Sequence, residues 1–249
     1  MQLFQRVFFA AVLAGLAAGL VLSAIQQWRV VPLIIQAELY EINDVHALEH
    51  ANDPVPAGPH LHPLEGENIS GEDLVAAEAP ETGFDFERAG LTVLASVLTG
   101  LGYALVLGAV SIFANIPINR QNGLMWGLAG FVSVALMPSI GLPPELPGMV
   151  AAEIGPRQIW WIGTVLISSL AIYVLYKNPN PAGLLIGLGL ILVPHIMGAP
   201  VPPAEPASVP AALVLIYVAN AMFSLFAFWL TLGFAFGWFN QKLNKEEGA

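Results

Sequence analysis

Four of the five histidines, His46, His50, His60 and His62, fall in one acidic, proline-broken stretch between two long apolar runs. Imidazole and carboxylate together are ligands for divalent first-row cations, so this loop is a candidate collector of metal at a membrane surface. If the proline-free stretch from Leu33 to His50 continues a first helix, His46 and His50 share a face four residues apart, with Glu49 beside them. Pro54, Pro56, Pro59 and Pro63 then break the chain, and His60 and His62 point to one side where the backbone is extended. The plainer reading is a solvated acidic loop that happens to carry histidines.

The fifth histidine stands apart. His195 lies inside an apolar run, between Pro194 and the Met197-Gly198 pair. An ionisable side chain inside a span is a site candidate by default. Met197 offers a weak thioether ligand, and proline with glycine on either side predicts a broken helix of the kind transporters use for binding. The competing role is a hydrogen bond to a neighbouring helix near the span end. Two carboxylates complete the set: Glu145, in the stiff Pro143-Pro144-Glu145-Leu146-Pro147-Gly148 turn, and Glu153, which precedes Arg157. Glu81, Asp85, Glu87 and Arg88 sit at the mouth of the second span.

The elements that must position these residues follow from composition. The chain of 249 residues is 56% hydrophobic and 10% charged, too little polar surface for a water-soluble fold. It reads as an all-α integral membrane protein, a single membrane domain over residues 1–249. With about 20 residues needed to cross some 30 Å of hydrocarbon, six apolar runs qualify: 7–28, 89–114, 121–139, 158–176, 181–198 and 209–239. The count drops to five if the third, cut short by Pro138, Pro143 and Pro144, is re-entrant. The first run is longer than a signal-peptide core and reads as a retained anchor. Residues 36–87 form the long acidic loop between spans one and two. Thirteen of the 18 acids lie between Glu38 and Glu87, so the formal charge of −10 is concentrated in that loop and argues against a nucleic-acid partner.

Arg6, Arg120, Lys177, Lys242 and Lys245 fall on the side of both termini in a six-span reading, against Arg29, Arg88 and Arg157 on the other. The positive-inside rule then places both termini in the cytoplasm of a multi-pass plasma (inner) membrane protein, and the histidine loop outside. Four glycine pairs spaced by four, Gly15/Gly19, Gly123/Gly127, Gly183/Gly187 and Gly233/Gly237, mark close helix packing or, alternatively, a gating hinge. Trp160, Trp161, Tyr173, Tyr176, Trp229 and Trp238 fit interfacial belts.

The chain resembles the CbtA-type family of predicted cobalt transporter proteins. The likeness rests on the anchor opening with Phe4-Gln5-Arg6 and the His-containing acidic loop that ends at Gly83–Arg88. It rests also on Pro-Pro-Glu-Leu-Pro-Gly at 143–148 followed by Arg157-Gln158-Ile159-Trp160-Trp161, and on the Pro194–Pro200 motif. The resemblance implies a small multi-span permease for cobalt uptake, working beside a one-span partner with its own terminal histidines. Family members often carry a denser His/Asp run in the first loop than the sparse histidines here.

No Walker motif, phosphate-binding glycine loop or nucleophile elbow is present, so the chain is not expected to be an enzyme. With no cysteine, a metal must be held by His, Glu, Asp, Met or backbone oxygen. No permanently bound cofactor is expected; the ligand is a transported divalent metal, cobalt or alternatively nickel. The candidate ligands are His46, His50, His60, His62, His195, Met197, Glu145 and Glu153. The alternative is a non-transporting accessory protein packed against a larger membrane complex. Beyond the lipid bilayer, either the one-span protein or such a complex is the expected partner.

Overall fold

The computed structural model describes residues 2–40, 86–204 and 209–246. Every regular element among them is helical. Five helices are long and apolar enough to cross a membrane: α1 (Leu3–Tyr40), α2 (Phe86–Phe113), α3 (Gly123–Gly141), α4 (Ile154–Lys177) and α6 (Ala211–Asn244, its last turn reaching Glu246). A shorter apolar helix, α5 (Pro181–Met197), lies between the last two.

Two expectations change here. The first helix does not stop at Trp28 but continues to Tyr40 through a π-helical turn at Gln26–Val30. At 1.5 Å per residue its 38 residues span about 57 Å, well beyond the hydrocarbon. The third run, which its prolines cut short, is a continuous helix of 19 residues. Pro138 sits at the start of a helical segment, where its missing N–H is tolerated, and a π-helical stretch, Phe131–Leu136, precedes it. The short element is α5, with 17 residues.

Lipid tails are as apolar as leucine, so these helices are held by close packing. α1 lies between α2 and α6, α3 packs on α6, and α4 pairs with α5 and touches the π segment of α3. The small-residue pairs sit at these contacts. A Cβ on Gly15 would lie 2.7 Å from the Gly100 carbonyl oxygen, and one on Gly19 2.6 Å from the Val97 Cα. Gly233 rests against the backbone of Gly123 and Gly127, and Gly187 against the Leu175 side chain. Ala10, Ala14 and Ala18 continue the small face of α1, and Phe228, Trp229, Leu232 and Phe236 of α6 fill the space it leaves. Trp229 is thus a core residue, 3% exposed, and not part of an interfacial belt. Large apolar side chains such as Leu98, Val106, Ile159, Leu166, Leu185 and Leu215 point outward, as a lipid solvent permits.

Polar contacts close the two ends. Arg6 Nε donates to Asn240 Oδ1 at 3.2 Å, and the same guanidinium reaches Asn244. Asn240 Nδ2 in turn donates to the Ile118 carbonyl at 2.6 Å. The start of α1, the α2–α3 connection and the end of α6 therefore share one end of the bundle. At the other end, Ala37, Leu146, Val209 and Leu213 form a second small core, with Leu33, Ile34 and Tyr40 packed against it. Glu38 and Arg88 form an ion pair there, joining the end of α1 to the start of α2.

Gly100→Ala should weaken the α1–α2 contact by about 1–3 kcal/mol, the scale of overpacking. Gly102→Ala, where an added Cβ meets nothing within 4 Å, should match or slightly exceed the parent. Thermal melting of the purified variants checks the pair, and equal midpoints would show that the backbone contact does not hold these helices.

Candidate functional site

The end of the bundle bearing the second core also collects the described candidate ligands. The Pro143–Gly148 turn is shaped by Gly148 at φ 78° and by a Leu146 N–H that donates to Met149 Sδ at 3.3 Å. A positive φ of this kind favours glycine. The turn presents Glu145 to Arg157, whose Nη2 donates to Glu145 Oε2 at 2.6 Å. Their side chains are 24% and 29% exposed, so the pair is partly shielded from water. Two sequence motifs twelve residues apart are tied together by this single contact. Glu153 caps the N-terminus of α4 through its carbonyl, which accepts from the Arg157 N–H at 3.2 Å, and its side chain is exposed.

One turn beyond Arg157, Trp160 reaches across to α5. Its Nε1–H donates to the Pro194 carbonyl at 3.2 Å, and its ring lies edge-on to the His195 imidazole, centroids 6.1 Å apart. The ring also sits over Gly141, where a Cβ would come within 2.5 Å of it. Trp160 therefore joins the ends of α3, α4 and α5 rather than serving only as an interfacial anchor. The site left for His195 is half-buried, and its Nε2 is buried with no hydrogen-bond partner. A buried imidazole nitrogen without a partner is costly unless something occupies it.

α5 is not broken at Pro194, contrary to the sequence expectation. It continues to Met197 and ends where Gly198, at φ 81°, leaves helical geometry while its N–H still reaches the Pro194 carbonyl. A proline this close to a helix end removes one ladder bond without splitting the helix. His195 consequently lies in the last turn of α5. In the competing role His195 would bond a neighbouring helix; its Nε2 makes no such bond, and the bond across to α4 is made by Trp160 on the adjacent Pro194 carbonyl. Met197, two residues on and 77% exposed, points away from that face.

Among the described residues no three His, Asp or Glu side chains come close enough to share a metal ion. Glu145 is drawn to Arg157, and Glu153 and Met197 face outward. His46, His50, His60 and His62 lie outside the described residues. Sequence reasoning passed over Trp160 as the partner of the Pro194-His195 segment, a contact between residues 34 apart that no local spacing announces. It also passed over Ser168, fully buried on α4 with its hydroxyl unpartnered. The Thr164/Ser168 spacing of four in an apolar run was the legible sign.

An apolar-surfaced helical bundle with several helices long enough to span a bilayer defines a multi-pass membrane protein. The chain belongs to the family described as "probable cobalt transporter subunit (CbtA)", whose sequence profile matches residues 4–241. Neither the curated proteins nor the solved structures gave a match.

Because Glu145 and Arg157 act as a unit, Glu145→Gln and Arg157→Gln should each lower the melting midpoint. The double variant should lose less than the sum, with a coupling of ~1 kcal/mol for a partly shielded pair. Strict additivity in this cycle would show that the turn is held by its prolines and apolar packing alone.

Proposed function

We propose that this chain is the multi-span component of an uptake permease for a divalent transition-metal cation, cobalt first and nickel as the alternative. The observation that carries the proposal is His195 Nε2, buried and unpartnered at the junction of α3, α4 and α5. Neutral imidazole nitrogen is a preferred ligand for such metals, and a buried, unpartnered ring nitrogen packed beside Trp160 is suited to bind one. Family membership supports the cargo. In this reading the loop histidines His46, His50, His60 and His62 concentrate the ion. Exposed Glu153 draws it toward the bundle, and His195 holds it during passage. Glu145, neutralised by Arg157, organises the mouth more than it attracts the cation. The family description, which names a transporter component, supports a partner that supplies what this chain lacks for energy coupling.

We also propose six crossings. Arg6 beside Asn240 puts both chain ends at one end of the bundle, which calls for an even number of spans. The 17 residues of α5, about 25 Å long, come close to the hydrocarbon thickness and complete the count. Arg6, Arg120 and Lys242 share the terminal end, which supports a cytoplasmic placement for it. Since the chain has no cysteine, single cysteines report cleanly. One at position 242 should be shielded from an impermeant thiol reagent in intact cells and one at 60 should label; equal labelling overturns the orientation.

The accessory reading draws on the ion-paired Glu145 and the absence of a three-ligand cluster among the described residues. Cobalt uptake in cells separates the two. His195→Gln should abolish uptake with the protein still folded and inserted. The quadruple replacement of His46, His50, His60 and His62 by Ala should lower uptake mainly at low cobalt, because a capture site matters most when ion is scarce. Unchanged uptake in His195→Gln, in cells where the parent transports, would move the chain to the accessory role.

A further inference from the structure

The end of the bundle away from His195 holds a second polar feature that the transport reading does not use. Arg120, Trp238, Gln241 and Lys242 line a pocket of about 190 Å³ between the α2–α3 connection and the end of α6. Both cations are exposed, and among the described residues neither pairs with a carboxylate. The pocket is built rather than incidental. Gly237 lets the backbone at Asn119 and Arg120 rest directly on α6, with a Cβ there only 3.2 Å from the Arg120 nitrogen. Asn240 bonds the Ile118 carbonyl, and Asn119 Oδ1 accepts from the N–H groups of Gln121 and Asn122 at 2.8 and 3.2 Å. The connection is thereby fixed, and with it the position from which Arg120 projects.

The backbone N–H groups of Asn119, Gln121 and Asn122 are already satisfied, so an anion here would be held mainly by side chains. Lys242 Nζ lies 5.4 Å from the centroid of the Trp238 ring, which keeps the ammonium at the pocket. Trp238 is an amphipathic ring at the end of a membrane-spanning helix, the depth at which headgroups meet acyl chains. A guanidinium carried on a fixed connection, an ammonium and an amide at that depth, with an indole beside them, match the phosphate of an anionic lipid. A zwitterionic choline headgroup fits worse. Its own cation would meet Arg120, and the indole face it would seek is covered by Lys242.

We propose that Arg120, Trp238, Gln241 and Lys242 form a seat for the headgroup phosphate of an anionic phospholipid in the leaflet at the end holding both chain ends. A lipid bound there bridges the α2–α3 connection to α6 and braces the end opposite the His195 site.

Native mass spectrometry of the full chain, released from vesicles of phosphatidylglycerol and phosphatidylcholine in equal parts, tests this directly. The parent should retain phosphatidylglycerol over phosphatidylcholine by roughly ten-fold or more, as two cations at the surface warrant. Arg120→Gln with Lys242→Gln should abolish the preference. Lys177→Gln, which removes a cation outside this pocket, should keep it. Gln241→Glu is the second variant: it leaves both cations in place but sets a carboxylate in the seat, and it too should lower retention. No preference in the parent would overturn the site. Equal loss in Lys177→Gln would replace it with a diffuse field. Displacement of the lipid by millimolar inorganic phosphate would assign the pocket to free anions and overturn the lipid.

Discussion

Backbone-to-backbone contact between helices is the constraint on which the molecule depends. In lipid, apolar side chains gain little by touching each other rather than acyl tails, so helices associate where small residues let their backbones meet. Here Gly15 and Gly19 bring α1 onto Gly100 and Ser96 of α2, and Gly123 and Gly127 bring α3 onto Gly233 of α6. These two seams join α1 to α2 and α3 to α6, and the packing of α1 on α6, filled by the aromatic residues of α6, makes the four helices one body. Tyr103 of α2 packs against both Phe228 and Trp229, extending the same body. The α4–α5 pair is attached to it through the π-helical stretch of α3 and through Trp160.

The polar groups then divide by depth. Those inside the bundle are few and mostly spend their hydrogen bonds on their own helices: Thr164 on the Trp160 carbonyl, Ser133 on Ala129, Ser224 on Ala221. Such local bonds satisfy hydroxyls where no water is at hand. Gln27 on α1 and His195 and Ser168 on the α4–α5 side depart from that pattern, each with a buried atom left unpartnered. At the two ends, by contrast, arginine ties separated segments: Arg6 to α6, Arg88 to Glu38, Arg157 to Glu145. The planar guanidinium suits this use because one group can reach more than one acceptor, as Arg6 does with Asn240 and Asn244.

Composition and run length alone determined the class, because a chain 56% apolar with runs near 20 residues has no water-soluble solution. The glycine spacing located both helix seams, since close approach requires small residues at a fixed period. His195 stood out as a candidate because an ionisable side chain inside an apolar run is rare. Which face of each helix meets protein was not legible. A soluble helix advertises its buried side by contrast with a polar one, but in lipid both sides are apolar and the contrast disappears. Hence Trp229 could pass for an interfacial anchor though it lies in the core, and Met197 for a partner of His195 though it faces outward. Only the tertiary structure could pair Trp160 with Pro194 and Arg157 with Glu145, for each pair joins segments whose meeting is set by helix packing and not by local spacing.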